Sequence, residues 1–225
     1  MPSIVLKITG HYVSPPTPEY IQRLAETLDA LAERGYRVAI VAGGGETARN
    51  YIATLRKHGA PEGLLDEIGI EAARLNALLL AYALLPRTYP KVPHNTRELL
   101  QAWTTGLVPV MGGFQPGQST NAVSLLVAEA VGSDLVVNLS RVNGVYTGDP
   151  KKDPKAKKLD TISLSELRVI LASQEVKAGT YQLLDRLAMD IAERSKIRIA
   201  FVHGSDPYNA VKVIDGEKIG TMVYP

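Results

Sequence analysis

The chain predicts an α/β protein, a mainly parallel sheet covered by helices on both faces. Three observations predict it. Apolar runs of strand length alternate with helix-length segments through most of the 225 residues. The early runs are apolar almost throughout, which is the pattern of strands buried on both faces. Glycines follow several of these runs, where a strand hands over to the next segment.

In order, Ile4-Val5-Leu6-Lys7-Ile8 is a buried strand interrupted by one lysine and broken by Thr9-Gly10. Over 18–34, Ile21, Leu24, Leu28 and Leu31 fall three and four apart on one helical face, and Gly35 ends that helix. A second strand over 38–42 runs through Gly43-Gly44-Gly45 into a helix over 46–57. The helix over 64–85 is unusually apolar in its second half. A short strand over 108–111 precedes the loop from Gly112, a helix over 122–131 and a strand over 135–139. Asn143-Gly144 and Asp149-Pro150 are tight turns, and 151–158 is basic and polar. Helices over 164–172 and 185–195 and strands over 197–202 and 218–223 complete the series. A change of character near residue 133 predicts two lobes without a linker, about 1–132 and 133–225, in a single domain.

Composition narrows the function. With 25 Lys and Arg against 23 Asp and Glu, a net charge of +2 gives no reason to expect a nucleic-acid partner. No cysteine is present, so disulfides, thiolate metal sites and thiol nucleophiles are excluded. The longest apolar run, 77–85, is far shorter than the ~18 residues of a membrane span. No signal peptide precedes the first strand, so a cytoplasmic location is expected. The four histidines, at 11, 58, 94 and 203, lack metal-ligand spacing, and no metal site in the protein is expected.

The chemistry concentrates where strands end. A lysine inside an apolar strand is costly to bury unless it meets an anion, and Lys7 is followed directly by Thr9-Gly10. The plainer alternative is an exposed sheet edge. Gly43-Gly44-Gly45 lets backbone approach a phosphate at a helix N-terminus, with Arg49 one turn in. It matches neither the G-x-x-x-x-G-K-[ST] loop nor the dinucleotide fingerprint, and a plain tight turn also accounts for it. Asp66 either favours the N-terminal dipole of its helix or accepts sugar hydroxyls. The loop Phe114-Gln115-Pro116-Gly117-Gln118-Ser119-Thr120 can aim amides and hydroxyls at an anionic or polar small molecule. Tyr146 and Asp149, on a hairpin-like loop, suit a base or ribose, or simple turn chemistry.

Lys7-Ile8-Thr9-Gly10, Gly43 through Arg49, Asp66-Glu67-Ile68-Gly69-Ile70, Gly112-Gly113 through Thr120, and Val142 through Pro150 together resemble the amino acid kinase superfamily. Within it they resemble the uridylate kinase family in its archaeal branch, over nearly the whole length. The resemblance implies an acetylglutamate-kinase-like α/β/α fold and transfer of the γ-phosphoryl group of ATP to UMP in pyrimidine nucleotide biosynthesis. It implies that Lys7 and Arg49 are catalytic. Lys7, Ile8, Thr9, Gly10, His11, Gly45, Arg49, Ser140, Arg141, Tyr146 and Asp149 would surround ATP. Gly44, Asp66 and the loop from Phe114 to Thr120 would hold UMP. Mg²⁺ would come bound to the nucleotide phosphates, and the protein would be a homohexamer built from dimers. Thr9, Asn121, Ser140-Arg141 and Asn143 depart from the usual pattern. Two rivals are a superfamily kinase acting on a carboxylate or carbamate, and a non-catalytic nucleotide-binding protein.

Overall fold

The computed structural model describes residues 1–148, 155–173 and 183–225. In chain order, β1 (Ser3–Ile8) passes through a 3-10 turn, Gly10–Tyr12, to α1 (Pro18–Glu33). β2 (Arg37–Ala42) leads to α2 (Gly45–Lys57), α3 (Glu62–Ala83) and α4 (Thr96–Thr104). Then come β3 (Val110–Met111), α5 (Thr120–Val131), β4 (Leu135–Ser140), β5 (Val145–Tyr146), β6 (Lys158–Leu159) and β7 (Thr161–Ser163). α6 (Leu164–Ser173), α7 (Arg186–Arg194), β8 (Arg198–His203), α8 (Asn209–Ile214) and β9 (Thr221–Tyr224) finish the order.

The main sheet runs β3-β2-β1-β4-β8-β9-β7, and only the β8–β9 pairing is antiparallel. β1 pairs with both β2 and β4, so one sheet passes through both halves of the chain. Strand side chains alternate between faces. Val5, Ala39, Val41 and Val136 join the core under α4, α5 and α7. Ile4, Leu6, Val38, Ile40 and Val137 join the core on the other face, with α1, α3 and α8. Both faces are covered, so these strands carry almost no polar residue. By parity Lys7 shares the face of Val5, under α5 and α7.

Several boundaries differ from the sequence expectation. β3 keeps only two residues, because Pro109 has no N–H for the ladder; its carbonyl still accepts from Ile40 N at 2.9 Å. α5 starts two residues early, at Thr120, because Ser119 caps it by accepting from Asn121 N and Ala122 N. α4 and α8 were not expected. α4 is only nine residues long, with Leu99 and Ala102 buried three apart, and Asn95 and Glu98 cap it, Glu98 N donating to Asn95 Oδ1 at 3.0 Å and Asn95 Nδ2 to Glu98 Oε1 at 2.7 Å. α8 has six residues, too short for a helical period to register. The hairpin-like loop is a two-stranded ribbon of β5 and β6, docked on β9 where Val145 N donates to Thr221 Oγ1 at 2.8 Å.

Candidate active site at the carboxyl edge of the sheet

Lys7 decides the character of this edge. It sits in register with Val41 of β2 and Asn138 of β4, and only 3% of it is exposed. A position on an exposed sheet edge is therefore ruled out. Burial pulls its ammonium from the ordinary value near 10.5 down to about 8, against a smaller upward push from the Asp185 carboxylate. No hydrogen bond or ion pair engages the ammonium among the described residues. A buried cation left in this way suits an incoming anion.

The glycines after β1 and β2 are explained by one another. Gly43 N donates to Ile8 O at 2.9 Å, which brings the two strand ends together. A Cβ on Gly10 would lie 2.0 Å from Gly45 N and 2.3 Å from Gly45 Cα. The triple glycine thus meets a packing demand that a lone turn would not make. Gly44 precedes α2 without a side-chain cap, so the first amides of that helix lack the partner a cap would give. Arg49, one turn in, is exposed, and no ion pair engages it among the described residues.

α3 ties the loops to one another. Its buried Asn76 donates Nδ2 to Gly43 O at 2.8 Å. Arg74 donates to Gly113 O at 3.1 Å and to Phe114 O at 2.9 Å. Asp66 Oδ2 accepts from Gly117 N at 2.8 Å, so this carboxylate anchors the loop; α3 begins at Glu62, which puts Asp66 beyond the first turn rather than at the helix start. A Cβ on Gly112 would lie 2.5 Å from Arg74 N, because the loop passes directly over the helix backbone. Phe114 packs into the core under α5, while Gln115, Pro116 and Gly117 are exposed. The Gln118 amide oxygen is buried without a partner among the described residues. Thr120 is the first residue of α5.

Asp185 was missed by the sequence. It caps α7 by accepting from Ala188 N at 3.0 Å, and it accepts from the Ser119 hydroxyl that caps α5. Two helix starts thus meet beside Lys7. An isolated Leu-Leu-Asp before a helix carries only a capping signal, and its pairing with Lys7 is a tertiary fact.

On the β4 side, Ser140 is buried and its hydroxyl donates to Val142 O at 2.7 Å, closing a turn. Its carbonyl accepts from Gly204 N at 2.7 Å. Thr9 is buried, and its amide donates to Leu139 O at 3.0 Å. His11 and Arg141 are exposed, and the ring of His11 meets Tyr12 edge-on. Tyr146 lies on the separate ribbon, where its hydroxyl donates to Asn143 Oδ1 at 2.7 Å. Asp149 lies outside the described residues. Lys7, Gly10, Gly43 to Gly45, Asp66 and the 112–120 loop are therefore joined by direct contacts or shared partners. Tyr146 is joined to them by no hydrogen bond among the described residues.

Among the described residues, no three His, Cys, Asp or Glu converge to hold a metal, and no helix is long and apolar enough to cross a membrane.

A mainly parallel sheet with a buried cation and closely packed glycine loops at one carboxyl edge defines a phosphate-handling α/β protein. The family model described as Amino acid kinase family matches residues 2–203, and the chain belongs to that family. It is 46% identical to the uridylate kinase of Hyperthermus butylicus, over 98% of this chain and 97% of that one. It is 47% identical to the uridylate kinase of Aeropyrum pernix, over 99% of each. The crystal structure of uridylate kinase from Archaeoglobus fulgidus superposes with a TM-score of 0.86 at 39% identity, covering 98% of this chain and 99% of that one.

Proposed function

We propose that this protein is an ATP-dependent UMP kinase that gives UDP and ADP, a step of pyrimidine nucleotide biosynthesis. The observation that carries the reading is Lys7, a buried ammonium with no protein partner among the described residues, beside glycine loops. The full-length similarity to relatives named uridylate kinase supplies the substrates.

Phosphoryl transfer needs positioning and charge neutralisation more than covalent help from the protein. A UMP phosphate oxygen forms the new bond to the γ-phosphorus as the bond to the β,γ-bridging oxygen breaks. The acceptor is already an anion, so no general base is required. Lys7 offsets charge on the transferring group. The amides opening α2 and the Arg49 guanidinium are placed for phosphate, Gly44 on the acceptor side and Gly45 on the donor side. The loop from Phe114 to Thr120 encloses the uridine, and Asp66 faces the ribose while holding that loop through Gly117. Within that loop, the Ser119 hydroxyl is already committed to the α5 cap. The donor lies on the β4 side, with Ile8, Thr9, Gly10 and His11 along its phosphates and Ser140, Arg141, Tyr146 and Asp149 around the rest. Residues 1–132 then form the acceptor lobe and 133–225 the donor lobe. Mg²⁺ would enter bound to the phosphates of the donor nucleotide. The setting is cytoplasmic.

The test is ATP consumption across a panel of nucleoside monophosphates, amino acids and carbamate. UMP-dependent turnover is the expected result. Turnover with an amino acid or carbamate and none with UMP favours the sister kinases. UMP binding without turnover favours a binding protein. The Lys7 shift adds a pH signature. The ammonium is the working form, so kcat/KM for MgATP should hold below about pH 8 and fall as pH rises through it.

Leu75, Leu79 and Tyr82 form an exposed apolar stripe on α3. We assign it to contacts between copies in a hexamer built from dimers. Light scattering should give a six-chain mass for the native protein, and Leu75→Glu should lower it.

A further inference from the structure

The buried amides behind Lys7 have a fixed polarity. Lys7 and Asn138 are in-register partners on adjacent parallel strands, so their side chains leave the same face of the sheet. Asn138 is 2% exposed. Its Nδ2 donates to Asn121 Oδ1 at 3.3 Å. Asn121 in turn donates its own Nδ2 to Leu183 O at 3.3 Å, two residues before Asp185. That last bond can be made only by an amide nitrogen, so Asn121 must present its oxygen to Asn138. Asn138 must therefore answer with its nitrogen, and its oxygen is left over. The Asn138 Oδ1 is buried with no hydrogen-bond partner among the described residues. The Lys7 ammonium has donors to spare and no acceptor among the same residues.

We propose that Asn138 is a positioning residue for Lys7: its carbonyl oxygen accepts from the ammonium, directly or through one water, and Asn121 locks the amide in that orientation. The role deepens the kinase reading, which makes Lys7 the group that neutralises the transferring phosphoryl. A neutral acceptor suits the task. It aims the ammonium without cancelling the charge that the phosphates need, as a carboxylate in its place would. The other groups facing Lys7 leave this acceptor unduplicated. β2 presents Val41 and α5 presents Asn121, both uncharged, and Asp185 at the start of α7 is the one charge found to act on Lys7 among the described residues. The Asp185 oxygens already accept from Ala188 N and from Ser119. His11 on the 3-10 turn and Arg49 on α2 are exposed.

The experiment titrates Lys7 in the full-length protein by NMR of ¹³Cε-labelled lysine, its signal assigned by absence in Lys7→Met. Asn138→Leu keeps the size and removes the acceptor, and its Lys7 midpoint should fall by about one pH unit, tenfold in proton affinity. Asn138→Asp keeps the acceptor and adds charge, and its midpoint should rise by at least about one unit. In the kinetic assay the alkaline limb of kcat/KM should move the same way in each variant. For Asn138→Leu, kcat should fall at least ~10-fold, with KM for UMP little changed. A purely structural role would not move the midpoint in opposite directions. Midpoints unchanged in folded variants overturn the proposal. Should neither variant fold, the Asn138 side-chain amide signals of the wild type carry the test: they should shift as Lys7 titrates, and their indifference overturns it. The titration needs no nucleotide. A wild type without UMP turnover would therefore remove the kinase reading and leave the Asn138–Lys7 result to stand or fall separately.

Discussion

Lys7→Met should abolish UMP-dependent ATP consumption and, at the same time, make the ligand-free protein more stable. The first effect follows from losing the charge that meets the transferring phosphoryl group, and a loss of at least ~10³-fold in kcat is expected. The second follows from burial. The folded-state pKa, about 8, lies below the unfolded value of 10.5, with desolvation as the larger cause. Below about pH 8 the folded protein bears the full cost of a buried ammonium. Between about 8 and 10.5 the folded state holds fewer protons than the unfolded one, so wild-type stability rises with pH and that cost fades. Converting the shift gives an upper limit of about 3 kcal/mol at neutral pH. Methionine fills much the same space without the charge. Urea unfolding at pH 7 and at pH 10 should show the variant's advantage at the lower pH and little of it at the higher. A variant less stable than wild type at pH 7 would refute the account of Lys7 as a strained cation awaiting phosphate.

Gly10→Ala should be among the most damaging single-methyl changes in the chain. The added Cβ would lie 2.0 Å from Gly45 N, 2.3 Å from Gly45 Cα and 2.8 Å from Gly43 O. These are backbone atoms of the loop that opens α2, so no rotamer change relieves the clash. The strand ends must separate, which strains the bond from Gly43 N to Ile8 O. A cost of at least ~3 kcal/mol is expected. It should appear as a fall in Tm of roughly 6–12 °C, with UMP-dependent turnover lost as the amides of Gly44 and Gly45 shift. Gly63→Ala is the matched control. Gly63 lies in α3, and a Cβ there meets nothing within 4 Å. It should be neutral or gain up to ~1 kcal/mol from helix propensity. Equal Tm shifts for the two variants would remove the close-packing explanation of the glycines.

The site was legible where one residue type admits few explanations. A lysine among four apolar strand residues, or three glycines after a strand, announces a constraint in the sequence itself. Asp66 was legible as a carboxylate near a helix start, but its bond to Gly117, 51 residues away, was not. Asn76, Arg74 and Asp185 were harder still. Each is an ordinary helix or cap residue whose meaning lies in a distant partner: Gly43 O, the carbonyls of 113 and 114, and Lys7.

The sequence by itself determined the layered α/β architecture, because continuous apolar runs bury on both faces and their alternation with helices demands parallel pairing. Its motif order also determined the family. Tertiary structure alone decided why the glycines are glycines, which neighbours share the edge with Lys7, and which way the Asn121 and Asn138 amides point. Those facts depend on backbone approach and donor–acceptor direction between residues far apart in the chain. Local pattern sets propensity and period, but it carries no distance between segments.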